Sequence, residues 1–393
     1  GRQAAQTAKQ IILQRIRDAE REQILNHFLE THENIVTGTV KRMERHGIVV
    51  ELAPKLDALI PREQMLPREN YRGGDRIRAL FWKLEEFNGG RKQVLLSRSA
   101  PDFVRELFAQ EVPEIADGLL EIKEVARDPG QRAKIAVLAR DQRIDPQGTC
   151  IGVRGSRVNA VSNEIGGERI DVVLWSDDTA QFVINALSPA QVSRIVIDDE
   201  LNSVDVIVAE DQLALAIGRG GQNVRLAAEL TGLQLNIMTL QEAEERNAAE
   251  SAAARQLFVE QLDVSEEIAD ALVSEGFESV EEVAYVPASE LLEVEGFDAE
   301  LAESLRAKAR EVVLKAAEEA EAKLNEIDED LRTLDGVDED MLRDLAEANI
   351  TSRDDLAELS IAELIEITGV SHEEAEKAIL AARAHWFAEE ENA

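Results

Sequence analysis

Residues 213–232 read LALAIGRGGQNVRLAAELTG and set Gly218, Gly220 and Gly221 around Arg219 where an amphipathic helix would otherwise continue. A glycine inside a helix costs about 1 kcal/mol relative to alanine. Such a break marks a left-handed turn, or a place where something large comes close to the backbone. A short helix that enters G-x-x-G and leaves as a second helix turns N–H groups outward at the second helix's start, where the dipole favours an anion. With no Cβ in the way, a sugar-phosphate strand can lie against the chain itself. The pattern recurs in CIGVRGSRVNAVSNEIGG, residues 150–167, as Gly152, Val153, Arg154 and Gly155. Arg154 and Arg219 are placed to neutralise phosphate, and Arg157 and Arg225, one helical step later, to extend the groove. For a single copy, a turn whose glycines serve only helix packing stays open.

Other chemistry is hard to find. Cys150 is the sole cysteine, which excludes an internal disulfide and fits a reducing cytoplasm. The five histidines, at 27, 32, 46, 372 and 385, make no metal-ligand spacing with it. There is no phosphate-binding G-x-x-x-x-G-K-[ST] loop, and the many carboxylates read as solvated faces. No catalytic residue, metal or cofactor is therefore expected. No apolar run approaches the roughly 20 residues of a membrane span.

Charge is graded along the chain. Residues 1–100 carry 18 Lys and Arg against 13 Asp and Glu, 101–246 carry 14 against 25, and 247–393 carry 11 against 41, giving the net −36. Such asymmetry suggests one end that faces a polyanion and another that does not.

Each glycine turn sits in the same frame of elements, α-β-β-α-α-β. The first has a helix at 102–109, strands LLEIKEVARD and RAKIAVLARD, a short helix near 146–151, the turn, a helix at 156–165 and the strand RIDVVLW. The second has a helix at 178–187, RIVIDD, SVDVIVAE, a short helix at 211–217, the turn, a helix at 222–231 and LQLNIMTL. Gly152, Gly155, Val158 and Gly166 match Gly218, Gly221, Val224 and Gly232 at one offset, an internal duplication. Ahead of it, IVTGTVKRMERHGIVVEL, LDALIPREQM, DRIRALFWKLEE and RKQVLLSRS predict five short strands in a small closed barrel of the OB type. Residues 4–30 predict a long helix with Ile12, Ile16, Ile24 and Phe28 as a partial apolar stripe. A second duplication aligns 264–310 with 337–383 without gaps, each copy reading as short helices.

In its frame, AIGRGGQNVRLAAELTG closely resembles a KH domain, and CIGVRGSRVNAVSNEIGG resembles its partner. The helix and strand placed first make both similar to the type II form. The resemblance implies that each turn clamps about four nucleotides of a single strand. Its contacts would be Gly152, Val153, Arg154, Gly155 and Arg157, then Gly218, Arg219, Gly220, Gly221, Asn223 and Arg225. GTVKRMERHGIVVEL and the closing LLSRS resemble the S-one type of OB domain. His46 stands where that family often has an aromatic residue, and Pro61 where it usually offers histidine. Lys41, Arg42 and His46 are candidate RNA contacts; direct contact and ordinary solvated charge both stay open.

LLEVEGFDAELAESL and LIEITGVSHEEAEKA are similar to the helix-hairpin-helix turn, but Asp298 and Ser371 replace the glycine that admits a DNA phosphate. The acidic surroundings repel a duplex as well. Protein binding is the expected use, centred on Gly296, Phe297, Gly369 and Val370.

One barrel, two KH modules and two acidic repeats in this order resemble the bacterial NusA family of transcription factors over nearly the whole chain. The resemblance implies a monomeric, cytoplasmic, non-enzymatic protein that modulates pausing, termination and antitermination. Its implied partners are single-stranded nascent RNA, RNA polymerase, antitermination proteins and, through the acidic repeats, the carboxyl-terminal domain of the polymerase α subunit. A translational or ribosome-associated RNA chaperone shares these modules, as do RNA-degrading phosphorylases, although there a catalytic core precedes and the KH domain comes before the barrel. The expected architecture is multidomain α+β. Its divisions are a connector helix at 1–33, the remnant of an N-terminal polymerase-binding domain, a barrel at 34–100 and KH modules at 101–176 and 177–246. Acidic repeats follow at 247–313 and 335–393, with a linker at 314–334 and a further hinge at 241–256.

Overall fold

The alternating run after Asn34 forms β1 (Ile35–Glu44), β2 (Gly47–Ala53), β3 (Leu56–Pro61), β4 (Arg76–Phe87) and β5 (Arg91–Ser97), preceded by helix α1 (Arg2–Thr31). The computed structural model, which describes residues 1–391, pairs these strands in the order β1-β2-β3-β5-β4 and closes β4 onto β1. Only β3 and β5 run parallel. Period-two alternation sends Val40, Ile48, Val50, Ala58, Ile60, Ile77 and Val94 inward, as a small barrel requires. The last turns of α1 pack on this core through Leu25, Ile24 and Phe28, and His32 stacks on Phe81 at 4.2 Å. Of the expected apolar stripe, Ile12 and Ile16 remain exposed.

The duplicated frame follows. Its first copy is α2 (Pro101–Glu111), the short α3 (Pro113–Ala116), β6 (Leu120–Asp128), β7 (Arg132–Ala139), α4 (Pro146–Ile151), α5 (Ser156–Glu164) and β8 (Arg169–Leu174). The second is α6 (Thr179–Ala186), β9 (Arg194–Asp198), β10 (Ser203–Val208), α7 (Leu213–Ile217), α8 (Gln222–Thr231) and β11 (Gln234–Thr239). Each copy builds a three-stranded sheet with one antiparallel and one parallel pairing: β6-β7-β8 and β9-β10-β11. The first sheet is covered on both faces. Ile122, Ile135 and Val137 pack under its own helices with Phe103, Leu107 and Val161. Ala126, Ala136 and Val173, on the other face, lie in one core with Val183, Ala186, Leu226 and Leu230 of the second copy.

Buried ions tie these modules together. Arg98, just after β5 and 2% exposed, donates to both oxygens of Glu69 (2.9 and 2.6 Å) and to Glu164 (3.1 Å). It also donates to the carbonyls of Arg78 and Glu164, both at 2.6 Å. Arg127 pairs with the fully buried Glu168 and donates to the Arg98 and Ala100 carbonyls. Lys134 reaches Asp171 at 2.9 Å and the Ser188 carbonyl at 3.1 Å, linking the two KH-like copies. Each of these ions meets carboxylate or carbonyl acceptors, which is what makes its burial tolerable.

The chain divides into two compact units, Gly1–Ala243 and the remainder from Glu244. Helix α9 (Leu240–Leu262) spans the division, so the segment expected as a hinge at 241–256 is helical. The second unit continues with α10 (Glu266–Ser274), α11 (Val280–Tyr285), α12 (Ala288–Leu292) and α13 (Ala299–Asn325). Its second repeat comprises α14 (Glu329–Arg332), α15 (Glu339–Glu347), α16 (Arg353–Ala357), α17 (Ile361–Thr368) and α18 (His372–Glu391). Equivalent side chains fill equivalent places: Leu272 and Leu345, Val283 and Leu356, Leu291 and Leu364 are all buried. The expected linker is helical to Asn325, and Ile327 and Leu331, within its remaining stretch, are buried in the second core. Acidic residues around them hid that apolar pair from the composition.

Candidate nucleic-acid interface

The two glycine turns have the same backbone. Gly152 lies at φ 78°, ψ 172° and Gly218 at φ 78°, ψ 171°; Gly155 lies at φ 75°, ψ 15° and Gly221 at φ 75°, ψ 13°. The outer glycines differ in purpose. A Cβ on Gly218 would sit 2.7 Å from the Asn223 nitrogen, and one on Gly152 3.0 Å from the Arg157 nitrogen, so the first glycine lets the two helices meet. A Cβ on Gly220 or Gly221 would point into open space. Gly155 and Gly221 are the N-caps of α5 and α8, and no side chain caps either helix. The Ser156 and Gln222 N–H groups turn back to the Val153 and Arg219 carbonyls, and no side chain occupies either helix start, where the dipole favours an anion.

The charged residues are not equivalent in the two turns. Arg154 occupies the place of Gly220 (φ 55°, ψ 30° against φ 62°, ψ 23°), and Val153, 82% exposed, occupies that of Arg219. A non-glycine residue held in the left-handed region is strained by roughly 1–2 kcal/mol. Past the turns, Arg157 corresponds to Asn223, and Arg225 to Asn159. Arg157 is drawn inward, donating to Glu114 (3.0 Å) and the Thr149 carbonyl (2.9 Å). Arg225 pairs with Asp128 at 3.3 Å, beside Gln222, which donates to the same carboxylate at 2.9 Å. These bonds brace the second turn against the hairpin between β6 and β7.

Asn223 corrects the expectation drawn from sequence. Its side chain is fully buried, and its amide donates to the Leu187 carbonyl (3.1 Å) and the Ala216 carbonyl (2.9 Å). It holds the turn from within and offers RNA no surface. A polar residue one position into a helix looks like a surface residue until the close helix contact at Gly218 is known.

In the barrel, Lys41 is paired with Asp57 at 3.0 Å and Arg42 with Glu44, whereas His46 is exposed. Trp82 is exposed beside Lys83, and Phe81 lies inward. Burial pushes the Cys150 thiol up to about 11, which leaves it protonated and inert as a nucleophile at neutral pH. Among the described residues no cluster of His, Cys, Asp or Glu is placed to hold a metal, and no helix is long and apolar enough to cross a membrane.

In the acidic repeats, Gly296 (φ 82°) and Gly369 (φ 67°) are exposed corners, but Phe297 and Val370 pack against their own repeat cores. Asp298 accepts from the Leu301 N–H at 2.7 Å and Ser371 from the Glu374 N–H at 3.3 Å. The groups a phosphate would seek are thus occupied by caps, the opposite of α5 and α8.

Comparison with known families finds each of these modules. A model described as S1 RNA binding domain matches residues 31–94. The NusA-like first KH domain matches 98–175, the NusA-like second KH domain 179–245, and the SAM-like Helix-hairpin-helix tandem 263–311 and 328–384. Proteins named Transcription termination/antitermination protein NusA, from Rickettsia conorii and Rickettsia prowazekii, are each 41% identical over 367 residues, 92% of this chain and 73% of theirs. A solved structure described as "Crystal structure of APE1850" covers 34% of this chain and 95% of its own at 21% identity and a TM-score of 0.28. With its barrel, paired KH modules and helical repeats in this order, and with that identity over most of its length, this chain belongs to the NusA family of transcription termination/antitermination proteins.

Proposed function

We propose that the chain acts as a non-enzymatic adaptor in the cytoplasm, binding nascent single-stranded RNA beside RNA polymerase. The observation that carries this reading is the pair of congruent, uncapped helix starts at Gly155 and Gly221, both within one compact unit. RNA is held by backbone N–H groups at each turn, with Arg154 and Arg219 countering phosphate charge. Holding the transcript there biases pausing, hairpin termination and antitermination. The acidic repeats, whose helix starts are self-capped, serve protein partners instead. These are antitermination proteins and the carboxyl-terminal domain of the polymerase α subunit, with Gly296 and Gly369 at the contact. The chain works as a monomer.

The test is the double variant Gly155→Asp, Gly221→Asp, which puts a carboxylate where phosphate belongs. RNA affinity should fall at least about tenfold, equivalent to ~1.4 kcal/mol, while circular dichroism stays unchanged. Pausing in a halted elongation complex should weaken in parallel. Undiminished RNA binding by this folded variant would refute the reading.

A further inference from the structure

The clefts of the first unit include one at the junction of barrel and first KH module, about 480 Å³, within the roughly 300–1,000 Å³ typical of sites that take a small molecule. The barrel supplies Tyr71, Arg76 and Arg78, and the end of α5 supplies Asn163, Glu164 and Gly166. Its carboxylates are already matched. Glu69 and Glu164 are held by Arg98, and Glu164 also by Arg78 at 3.3 Å. Arg76 is exposed, and its side chain has no hydrogen-bond or ion-pair partner among the described residues. A cleft whose one unanswered charge is a guanidinium suits an anion.

Helix α5 connects this cleft to the first glycine turn. Gly155, Asn159 and Asn163 follow at i, i+4 and i+8, on one face, and Gly166 continues the line. Asn159, Asn163 and Gly166 are exposed, and neither amide side chain is engaged elsewhere among the described residues. Amides of this kind both donate and accept, so they can meet base edges and sugar hydroxyls alike. In the second module the same positions are Arg225 and Glu229, which make no such neutral track. The nine residues of α5 span about 13 Å at 1.5 Å per residue.

We infer that the strand held at the first turn runs along Asn159 and Asn163 and lodges a further nucleotide in this cleft, its phosphate on Arg76 and its base against Tyr71. The Tyr71 phenol stays neutral, since burial pushes it up to about 12, and so sets no charge against the ligand. Because Arg98 fixes both walls, the subsite is formed before RNA arrives. This inference rests on the RNA-binding reading of the turns.

The experiment uses the full chain carrying Gly221→Asp, so that only the first turn remains. It compares fluorescent RNAs of about four nucleotides, enough for one turn, and about eight, enough to reach the cleft. Arg76→Glu and Asn163→Asp should each weaken the longer RNA about five- to tenfold and leave the shorter one unchanged. Arg76→Lys should restore most of the loss. Equal affinity of Arg76→Glu and its parent for the longer RNA overturns the cleft, as does equal weakening of both lengths, which would be a diffuse field effect. Adding Gly155→Asp separates the two readings. If that abolishes binding while Arg76→Glu does nothing, the turn stands and the cleft falls. If it changes neither RNA, the underlying reading falls.

Discussion

Arg98 and Glu164, 66 residues apart, meet in a 3.1 Å ion pair that joins the end of the barrel to the end of α5. Replacing Arg98 with methionine leaves Glu69 without its buried counter-ion and Glu164 with Arg78 alone. Removing one partner of a buried pair typically costs 3–5 kcal/mol; Glu164 keeps 25% of its exposure, so the low end, about 3 kcal/mol, is expected. Calorimetry should show the first unit melting earlier, with the acidic repeats unaffected.

The glycines of the second turn should separate by stability. Gly218→Ala brings a Cβ to 2.7 Å from the Asn223 nitrogen in addition to its left-handed backbone. Gly221→Ala meets open space and bears only the left-handed cost of roughly 1–2 kcal/mol. Urea unfolding should place Gly218→Ala clearly below Gly221→Ala. The reverse order would mean that the first glycine is not there for helix contact.

Arg154→Gly should trade function for stability. The substitution relieves the strain of a side chain at φ 55° and gives the first turn the residue its twin carries at Gly220. Stability should rise by up to about 1 kcal/mol, since glycine's own flexibility offsets part of the gain. RNA affinity should fall, and the slope of log K against log salt should drop by about 0.7, the value of one phosphate contact on a single strand. Titrations at three salt concentrations decide it.

In the repeats, Arg310 donates to the Ala284 carbonyl at 3.2 Å, and Arg383, its counterpart, to the Ala357 and Leu359 carbonyls at 2.8 and 3.0 Å. Each arginine pins its long helix to the corner two helices earlier. Arg383→Ala should therefore cost more than Arg310→Ala, about 3 against 1.5 kcal/mol at roughly 1.5 kcal/mol per charged hydrogen bond. Thermal melts of the two variants would rank them.

Much of this was legible in the sequence because it is periodic or repeated. The barrel strands follow from alternation, and the twin turns and twin repeats follow from self-alignment, which set Gly152 against Gly218 and Leu272 against Leu345. What was hidden depends on contacts distant in sequence. Nothing local marks Asn223 as interior, because its burial comes from the Leu187 carbonyl 36 positions earlier. Nor does any spacing bring Arg76 near Asn163; only the Arg98 lock does. The arginines of the two turns are alike in type, and the same self-alignment already sets them one residue apart.

Ala126, Ala136 and Val173 belong to the first KH module by chain order and to the second by packing. A cut near residue 177 would strip an oily underside from one fragment and the floor from the other. Expressed alone, each half should be sticky and short-lived. The tandem is one cassette, to be inherited, lost or engineered whole.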